Sequence, residues 1–354
     1  MTGPAGNSRR WRLGACLSLT GKYARFGSQA AHALRAWHAL DGGAEILVED
    51  DGSDPARVAS ILRALAGRCE VLLGPYSTQL MRAASRVAPD LDQLLWNHGG
   101  SGDDVQAAAP GHVVSVLAPT SRYAEPFLRH LAVHTEPAPL VLVEGRGSFG
   151  RQVITGAETI TRTLGLSTRR AGPTDDLPAE RRGVWDLFCA GSFEEDVATV
   201  TAARALPHPP RLIGTVAAGV REFGRQVTQA QGVHGIAQWF PHRHLSVAVG
   251  PAEATFLRVY TQLAGAVPDY PGVQVAATAA LAAHCVRAAG SARRESLWGL
   301  AASLSTTTMF GDFAINPVTG AQLAHEPVLV RWTADGMQAV APGNGSFGLP
   351  GNSL

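Results

Sequence analysis

The sequence predicts an α/β protein made of two doubly wound parallel-sheet lobes, and three observations carry that expectation. The chain has 354 residues, more than one compact core ordinarily holds, so two lobes of usual domain size are expected. Short apolar runs alternate with longer amphipathic stretches through most of its length, the order that a parallel sheet covered by helices requires. The strand-like runs are apolar without strict alternation, as strands buried on both faces are.

The first series runs "RLGACLSLT" as a strand, "GSQAAHALRAWHAL" as a helix, "AEILVEDD" as a strand, "DPARVASILRALAG" as a helix and "CEVLLGP" as a strand. It continues with "TQLMRAASRVAPD" as a helix and "QLLWNHG" as a strand. A second series begins near residue 120 with the helix "YAEPFLRHLAVH" and the strand "PLVLVE". After them come a helix over 151–165, the strand "GVWDLFCAG", the helix "EEDVATVTAARAL", the strand "RLIGTV" and the motif "HGIAQWFP". Two long helical stretches follow, "PAEATFLRVYTQLAG" and "GVQVAATAALAAHCVRAAGS". "GDFAINPVTGAQLAHEPVLVRWTADGMQAV", with turn signals at "NPVTG" and "ADGM", predicts a terminal hairpin. The last residues, 342–354, read as a poorly ordered, flexible tail.

Composition excludes several classes. With 45% hydrophobic and 17% charged residues the chain is neither disordered nor fibrous. A net charge of +1 supplies no broad field for a polyanion, so no nucleic-acid partner and no membrane insertion are expected. Lys22 is the only lysine, which carries no functional message. Cys16, Cys69, Cys189 and Cys285 are widely spaced without a CxxC pattern, which predicts buried free thiols. No signal peptide or membrane span can be drawn, so the chain as given is expected to be cytoplasmic, or extracellular or at the cell surface if a leader was removed.

One motif suggests a dinucleotide site. In "LVLVEGRGSFGRQVITGAETI" an apolar run leads into Gly145-x-Gly147-x-x-Gly150 and then into helical spacing. With 39 glycines such a match arises by composition about 0.5 times per chain, and Gly343 to Gly348 supplies a second one without strand or helix around it. The acid expected about 20 positions on is replaced by Arg169 and Arg170, which only an NADP preference would accommodate. No cofactor is expected.

Several stretches, in order, resemble the type 1 periplasmic-binding family, specifically branched-chain amino acid binding proteins of ABC importers and a related cytoplasmic amide sensor. "LGACLSLTGKYARFGSQAAHALRAW" looks like that family's first strand, "LTG" loop and first helix. "VEDDGSDPARVASILRAL" looks like its "DDxSDP" segment, and "VLLGPYSTQLMRAASRVAP" like its "GPxSS" turn. "YPGVQVAATAALAAHCVRAAGS" resembles its late helix and "FGDFAINPVTGAQLAHEPVLVRW" its closing hairpin. The resemblance implies two lobes joined by three crossovers with a ligand cleft between them. Lobe 1 would be 10–119 plus 247–311, and lobe 2 would be 120–246 plus 312–341.

The same resemblance suggests the ligand residues. Tyr76, Ser77 and Thr78 stand at the turn where the family binds a carboxylate. A helix N-terminus with a Ser or Thr cap offers leftover N–H donors there. Gly99 would offer its backbone, and Ser101 its hydroxyl and amide, to the same head group. His98 reads as a loop histidine. Phe149 stands where the family has a ligand-covering tyrosine, Phe193 near a second aromatic position, and Trp239 and Phe240 at the second crossover. Packing in a core or hinge is the other role open to each. Tyr23 and Phe26 in the first loop would face the cleft. The family's ammonium-pairing acid is replaced by Thr215 and Val216. Either another acid such as Glu194 substitutes or the ligand carries no ammonium, because a buried unpaired ammonium is costly.

His242 and His244 in "FPHRHLS" lack a third metal ligand, and no GxSxG, HExxH or Walker A pattern occurs. The expectation is therefore a non-enzymatic solute-binding protein that closes on an amino acid, or on a carboxylate or amide with an aliphatic or aromatic body. Its closure would be read by an ABC permease. The alternatives are a cytoplasmic sensor acting on a regulatory protein and an NADP-dependent oxidoreductase.

Overall fold

A computed structural model describes residues 11–172, 177, 183–242 and 246–340. The described residues fall into two units. The first runs to Ser121 and takes up the chain again over Gln238–Pro327, and the second comprises Arg122–Ala237 and the residues from Val328.

In the first unit five parallel strands lie in the order β2-β1-β3-β4-β5: β1 Trp11–Leu17, β2 Ala44–Asp50, β3 Val71–Leu73, β4 Leu95–Asn97 and β5 Val113–Ser115. Between them run α1 Ala24–Asp41, α2 Pro55–Ala66, α3 Thr78–Val87 and the short α4 Asp103–Gln106. Alternate side chains of the strands leave to opposite faces, and each face has its own core. Leu13, Ala15, Leu73 and Trp96 pack with Trp37 of α1, while Cys16, Leu72 and Leu95 pack with Leu62 of α2 and Met81 of α3.

The second unit repeats the order. Its parallel strands β6 Leu140–Glu144, β7 Thr168–Ala171, β8 Asp186–Ala190, β9 Ile213–Thr215 and β10 His234–Ala237 lie as β7-β6-β8-β9-β10. Their helices are α5 Glu125–His134, α6 Ser148–Leu164, α7 Phe193–Arg204 and α8 Glu222–Gln226. β7 was not expected as a strand. Its first three residues, Thr168, Arg169 and Arg170, are exposed on the edge of the sheet, so it lacks the apolar run by which the others are read.

The chain then returns to the first unit with α9 Glu253–Ala264, α10 Tyr270–Ala289 and α11 Arg294–Ser303. α10 is apolar nearly all round and buried along most of its length, which its Ala-rich sequence permits through close packing on α1. The expected terminal hairpin is two separate structures. β11 Thr306–Thr308 and β12 Gly311–Phe313 pair in the first unit, and the "NPVTG" turn is held there by Ser115 N–H donating to the Gly320 carbonyl, 3.0 Å. β13 Val328–Thr333 and β14 Gly336–Ala339 extend the second sheet antiparallel from β10, closed by the two residues before Gly336. Compared with the expected boundaries, the first unit also takes Thr120 and Ser121, 238–242 and 312–327, and Trp239, Phe313 and Ile315 are buried in its core. The expected tail, 342–354, and His244 lie outside the described residues.

The four cysteines are buried and unpaired. Among the described residues no helix is long and apolar enough to cross a membrane, and no group of three metal-ligating side chains forms.

Candidate functional site

A 2-1-3-4-5 sheet reverses its winding direction between its first and third strands, and ligands gather beyond the carboxyl ends there. In the first unit that point lies between β1 and β3. The loop after β1 is fastened by the "DDxSDP" acids. Asp50 accepts from the Leu19 and Thr20 amides (2.8 and 3.2 Å) and from the Thr20 hydroxyl (2.6 Å). Buried Asp51 accepts from the Ser18 hydroxyl (2.7 Å) and the Ser53 amide (2.7 Å). Four hydrogen bonds hold the Asp50 carboxyl below its ordinary pKa even though burial works against them. These acids are structural, and they set the loop that carries Tyr23.

The turn after β3 carries Tyr76, Ser77 and Thr78. Ser77 caps α3, its hydroxyl accepting from Leu80 N–H at 3.3 Å, and its backbone sits at φ +87°, a region non-glycine residues rarely occupy. The conformation is held because Ser77 N–H also donates to the Gly99 carbonyl (3.0 Å), which joins the ends of β3 and β4 through a Tyr76–Gly99 bridge. Gly99 fits only without a side chain, since a Cβ there would stand 2.5 Å from Tyr76 Cα. Its amide faces Asn97 Oδ1 at 3.2 Å, so both its backbone groups already have partners in the unit. The expectation that Gly99 offers its backbone therefore meets an engaged residue.

Asn97 was missed by sequence reasoning. Its Oδ1 also accepts from Gly100 N–H (2.7 Å), and its Nδ2 donates to the Gly100 carbonyl (2.8 Å) and the Ser115 hydroxyl (2.9 Å). A buried amide side chain immediately before a polar glycine loop was the available signal. Thr78 performs a similar task, accepting Gly102 N–H at 2.9 Å.

What remains unengaged among the described residues is a set of donors. They are the hydroxyl hydrogen of Ser77, the first-turn amides of Thr78 and Gln79, and the amide and hydroxyl of Ser101, whose carbonyl accepts from Thr120 at 2.8 Å. His98 is fully buried and held neutral, its pKa pushed down to about 4 by burial, so it is neither an exposed loop residue nor a cation.

Aromatic rings border this edge. Phe26 stacks on Tyr76 at 4.5 Å and Tyr23 lies tilted at 6.1 Å. Tyr270, at the start of α10 and missed by sequence reasoning, hydrogen-bonds Tyr76, and burial first and Tyr76 second raise its phenol well above the ordinary range. Trp239 lies elsewhere. It is buried in the first unit's core with its indole N–H on Glu253 Oε1 at 3.1 Å.

In the second unit the corresponding strand ends are those of β6 and β8. Phe149, in the first turn of α6, is half-buried edge-on to Tyr123 at 5.7 Å. Phe193 opens α7, which Ser192 and Glu195 close as a reciprocal capping box. At the end of β9, Thr215 and Val216 are buried. The buried acid there is Asp196, which accepts Ala217 N–H at 3.1 Å. Burial raises its pKa to about 7 against the pull of hydrogen bonds from Thr215, Ala217 and Gly191. Glu194 is exposed on α7. Asp196 is thus enclosed by its own unit.

These sheets and strand-end groups define a class: a two-unit, doubly wound α/β protein with hydrogen-bond donors and aromatics at the carboxyl ends of its strands. Residues 10–180 match the family model described as periplasmic binding protein, and the chain has the type 1 periplasmic-binding fold that its motifs suggested. The leucine binding protein LivK from Thermotoga maritima superposes with a TM-score of 0.79 at 14% identity, covering 94% of this chain and 98% of that one. LivJ from Streptococcus pneumoniae, in complex with isoleucine, gives 0.73 at 15% identity over 94% and 99%. A solute binding protein from Rhodopseudomonas palustris in complex with benzoate gives 0.74 at 16% identity over 94% and 95%. No curated protein matches the chain by sequence.

Proposed function

We propose that this protein is a solute-binding protein for a small organic carboxylate with an apolar body, handing it to an ABC-type importer and performing no chemistry of its own. The observation that carries the reading is the donor set of the first unit. Ser77, Thr78, Gln79 and Ser101 offer N–H and O–H groups and no opposing carboxylate, which suits a ligand carboxylate. Phe149 and Phe193 are proposed as apolar ligand contacts, and burial of apolar surface contributes about 25 cal/mol per Å2. Tyr23 and Tyr76 are the proposed aromatic wall on the first unit. Trp239 is proposed as a packing residue, since its polar edge is already satisfied.

The end of β9 supports a simple acid over an amino acid. With Thr215 and Val216 buried there and Asp196 already hydrogen-bonded, a ligand ammonium would lack a counter-charge. Both ligand types occur among proteins of this fold, one structure holding isoleucine and another benzoate.

Calorimetry with leucine and 4-methylpentanoate tests this directly, because the two share a body and a carboxylate and differ by the ammonium. The desamino acid and benzoate are expected to bind more tightly than leucine. Ser77→Ala and Ser101→Ala are each expected to weaken the carboxylate about tenfold, the scale of one hydrogen bond to a charged group. Tighter binding of leucine, or unchanged affinity in both variants, would overturn the reading.

A further inference from the structure

Past the last paired residues of β4 and β5, Asn97 and Ser115, the backbone of the next three residues is held by three buried glutamines, each at most 2% exposed. Gln322 Nε2 donates to the Val116 carbonyl (2.9 Å), Gln106 Nε2 donates to the Leu117 carbonyl (2.9 Å), and Gln238 Oε1 accepts from the Ala118 amide (3.0 Å). Gln106 ends α4, and the other two belong to the stretch that comes back from the second unit.

Gln106 joins this set to the candidate site. Its Oε1 accepts from the Gln322 amide (3.2 Å), and its Nε2 also reaches the Ser101 carbonyl (3.5 Å). With an N–H on its oxygen and two carbonyls on its nitrogen, the side chain has one orientation and no donor left for a solute. The Ser101 carbonyl also accepts from Thr120 N–H at 2.8 Å, and Asp103 accepts from the Thr120 hydroxyl (2.6 Å) and the Ser121 amide (3.0 Å). The Gln238 carbonyl accepts from His325 Nε2 at 2.8 Å. The chain leaves the first unit after Ser121, returns at Gln238 and leaves again after Pro327. Residues beside all three passages are therefore laced to the loop that carries Ser101.

We propose, on the carboxylate reading of Ser101, that Gln106 is a positioning residue for the solute: it holds the Ser101 donors in place and couples them to the passages at 118–121, 238 and 322–325. All of these residues belong to the first unit. The coupling is cooperative, since buried amides polarise one another and deleting one leaves its desolvated partners without a bond. An apolar side chain at 106 strands the Leu117 carbonyl and the Gln322 amide together and releases the Ser101 loop.

Calorimetry on the full chain with benzoate and 4-methylpentanoate tests this. Q106M, which keeps the volume and loses the bonds, is expected to weaken both acids about tenfold, the scale of S101A. Because Gln106 acts through Ser101, S101A/Q106M is expected to lose clearly less than the product of the two single losses. Q106E is expected to bind weakly at pH 8 and to recover several-fold by pH 5.5, where its buried carboxyl takes up a proton and donates again to Leu117, while Q106M shows no such recovery. Single losses that multiply in full in the double variant, or no recovery in Q106E, would overturn the coupling. Binding weakened by S101A but not by Q106M would overturn the role of Gln106 and leave the carboxylate reading standing. Failure of the parent chain to bind either acid would overturn both.

Discussion

The two units share one strand order, yet their strand ends offer opposite chemistry. At the ends of β3 and β4 the first unit has glycines, serines and a buried asparagine, tied together so that Gly99 and Asn97 are engaged and several donors remain. At the ends of β6 and β8 the second unit has half-buried phenylalanines, a turn with arginines, and an acid enclosed by its own backbone. A common topology thus fixes where groups gather, while the residues of each loop decide what they can bind. The first unit's edge is built by close backbone contact, and the second's by side chains.

The sharpest way to break this contrast is Gly99→Ala. Its Cβ would stand 2.5 Å from Tyr76 Cα and 2.7 Å from the Pro75 carbonyl oxygen, neither of which is a flexible side chain. Overpacking of this kind costs about 3 kcal/mol, so denaturant unfolding should show a loss of that size together with loss of carboxylate binding. A loss well below about 1 kcal/mol would show that the turn accommodates a side chain.

A smaller effect tests the second unit. Asp196 has a folded pKa of about 7, above the ordinary carboxylate value of 3.8. The folded protein therefore holds more protons than the unfolded chain between these values, and stability falls as pH rises through that window. Between pH 7.5 and 5.5 the protein should gain about 2 kcal/mol from this group, and Asp196→Asn should remove that gain. His98 acts in the opposite sense. Its folded pKa of about 4 lies below the usual 6.5, so its contribution is lost as pH falls through that interval. Melting curves against pH for D196N and the parent chain separate the two. Identical pH slopes in both proteins would refute the assignment to Asp196.

The smallest expected effect concerns Trp239. Trp239→Phe leaves Glu253 Oε1 without the indole donor, which should cost about 1 kcal/mol of stability and leave ligand affinity unchanged. A change in affinity without a change in stability would return Trp239 to the ligand site.

Much of the fold was legible because its signals are local. Apolar runs marked β1, β2, β3, β4, β6, β8 and β9, and the long helices showed their spacing. β7 escaped because an edge strand needs no apolar face, and its arginines read as loop. The "ADGM" turn was legible as the β13–β14 hairpin, but the split of the closing segment between two units was not, because only the burial of Phe313 and Ile315 decides it. At the candidate site Ser77 was legible from its capping position. Asn97 and Tyr270 were not, since their roles arise from partners at Ser115 and Tyr76, distant in sequence.

By itself the sequence determined the alternation of strands and helices, the four buried thiols, the cap at Ser77 and the uncharged pair Thr215–Val216 where an acid might have stood. These depend on residue type and spacing along the chain. Only the tertiary structure decided that Gly99 is engaged, that Trp239 is satisfied in a core, that Asp196 is enclosed, and that Gln106, Gln238 and Gln322 converge on one segment. Each of these depends on which distant groups meet and how much water they exclude, and neither quantity is written in local order.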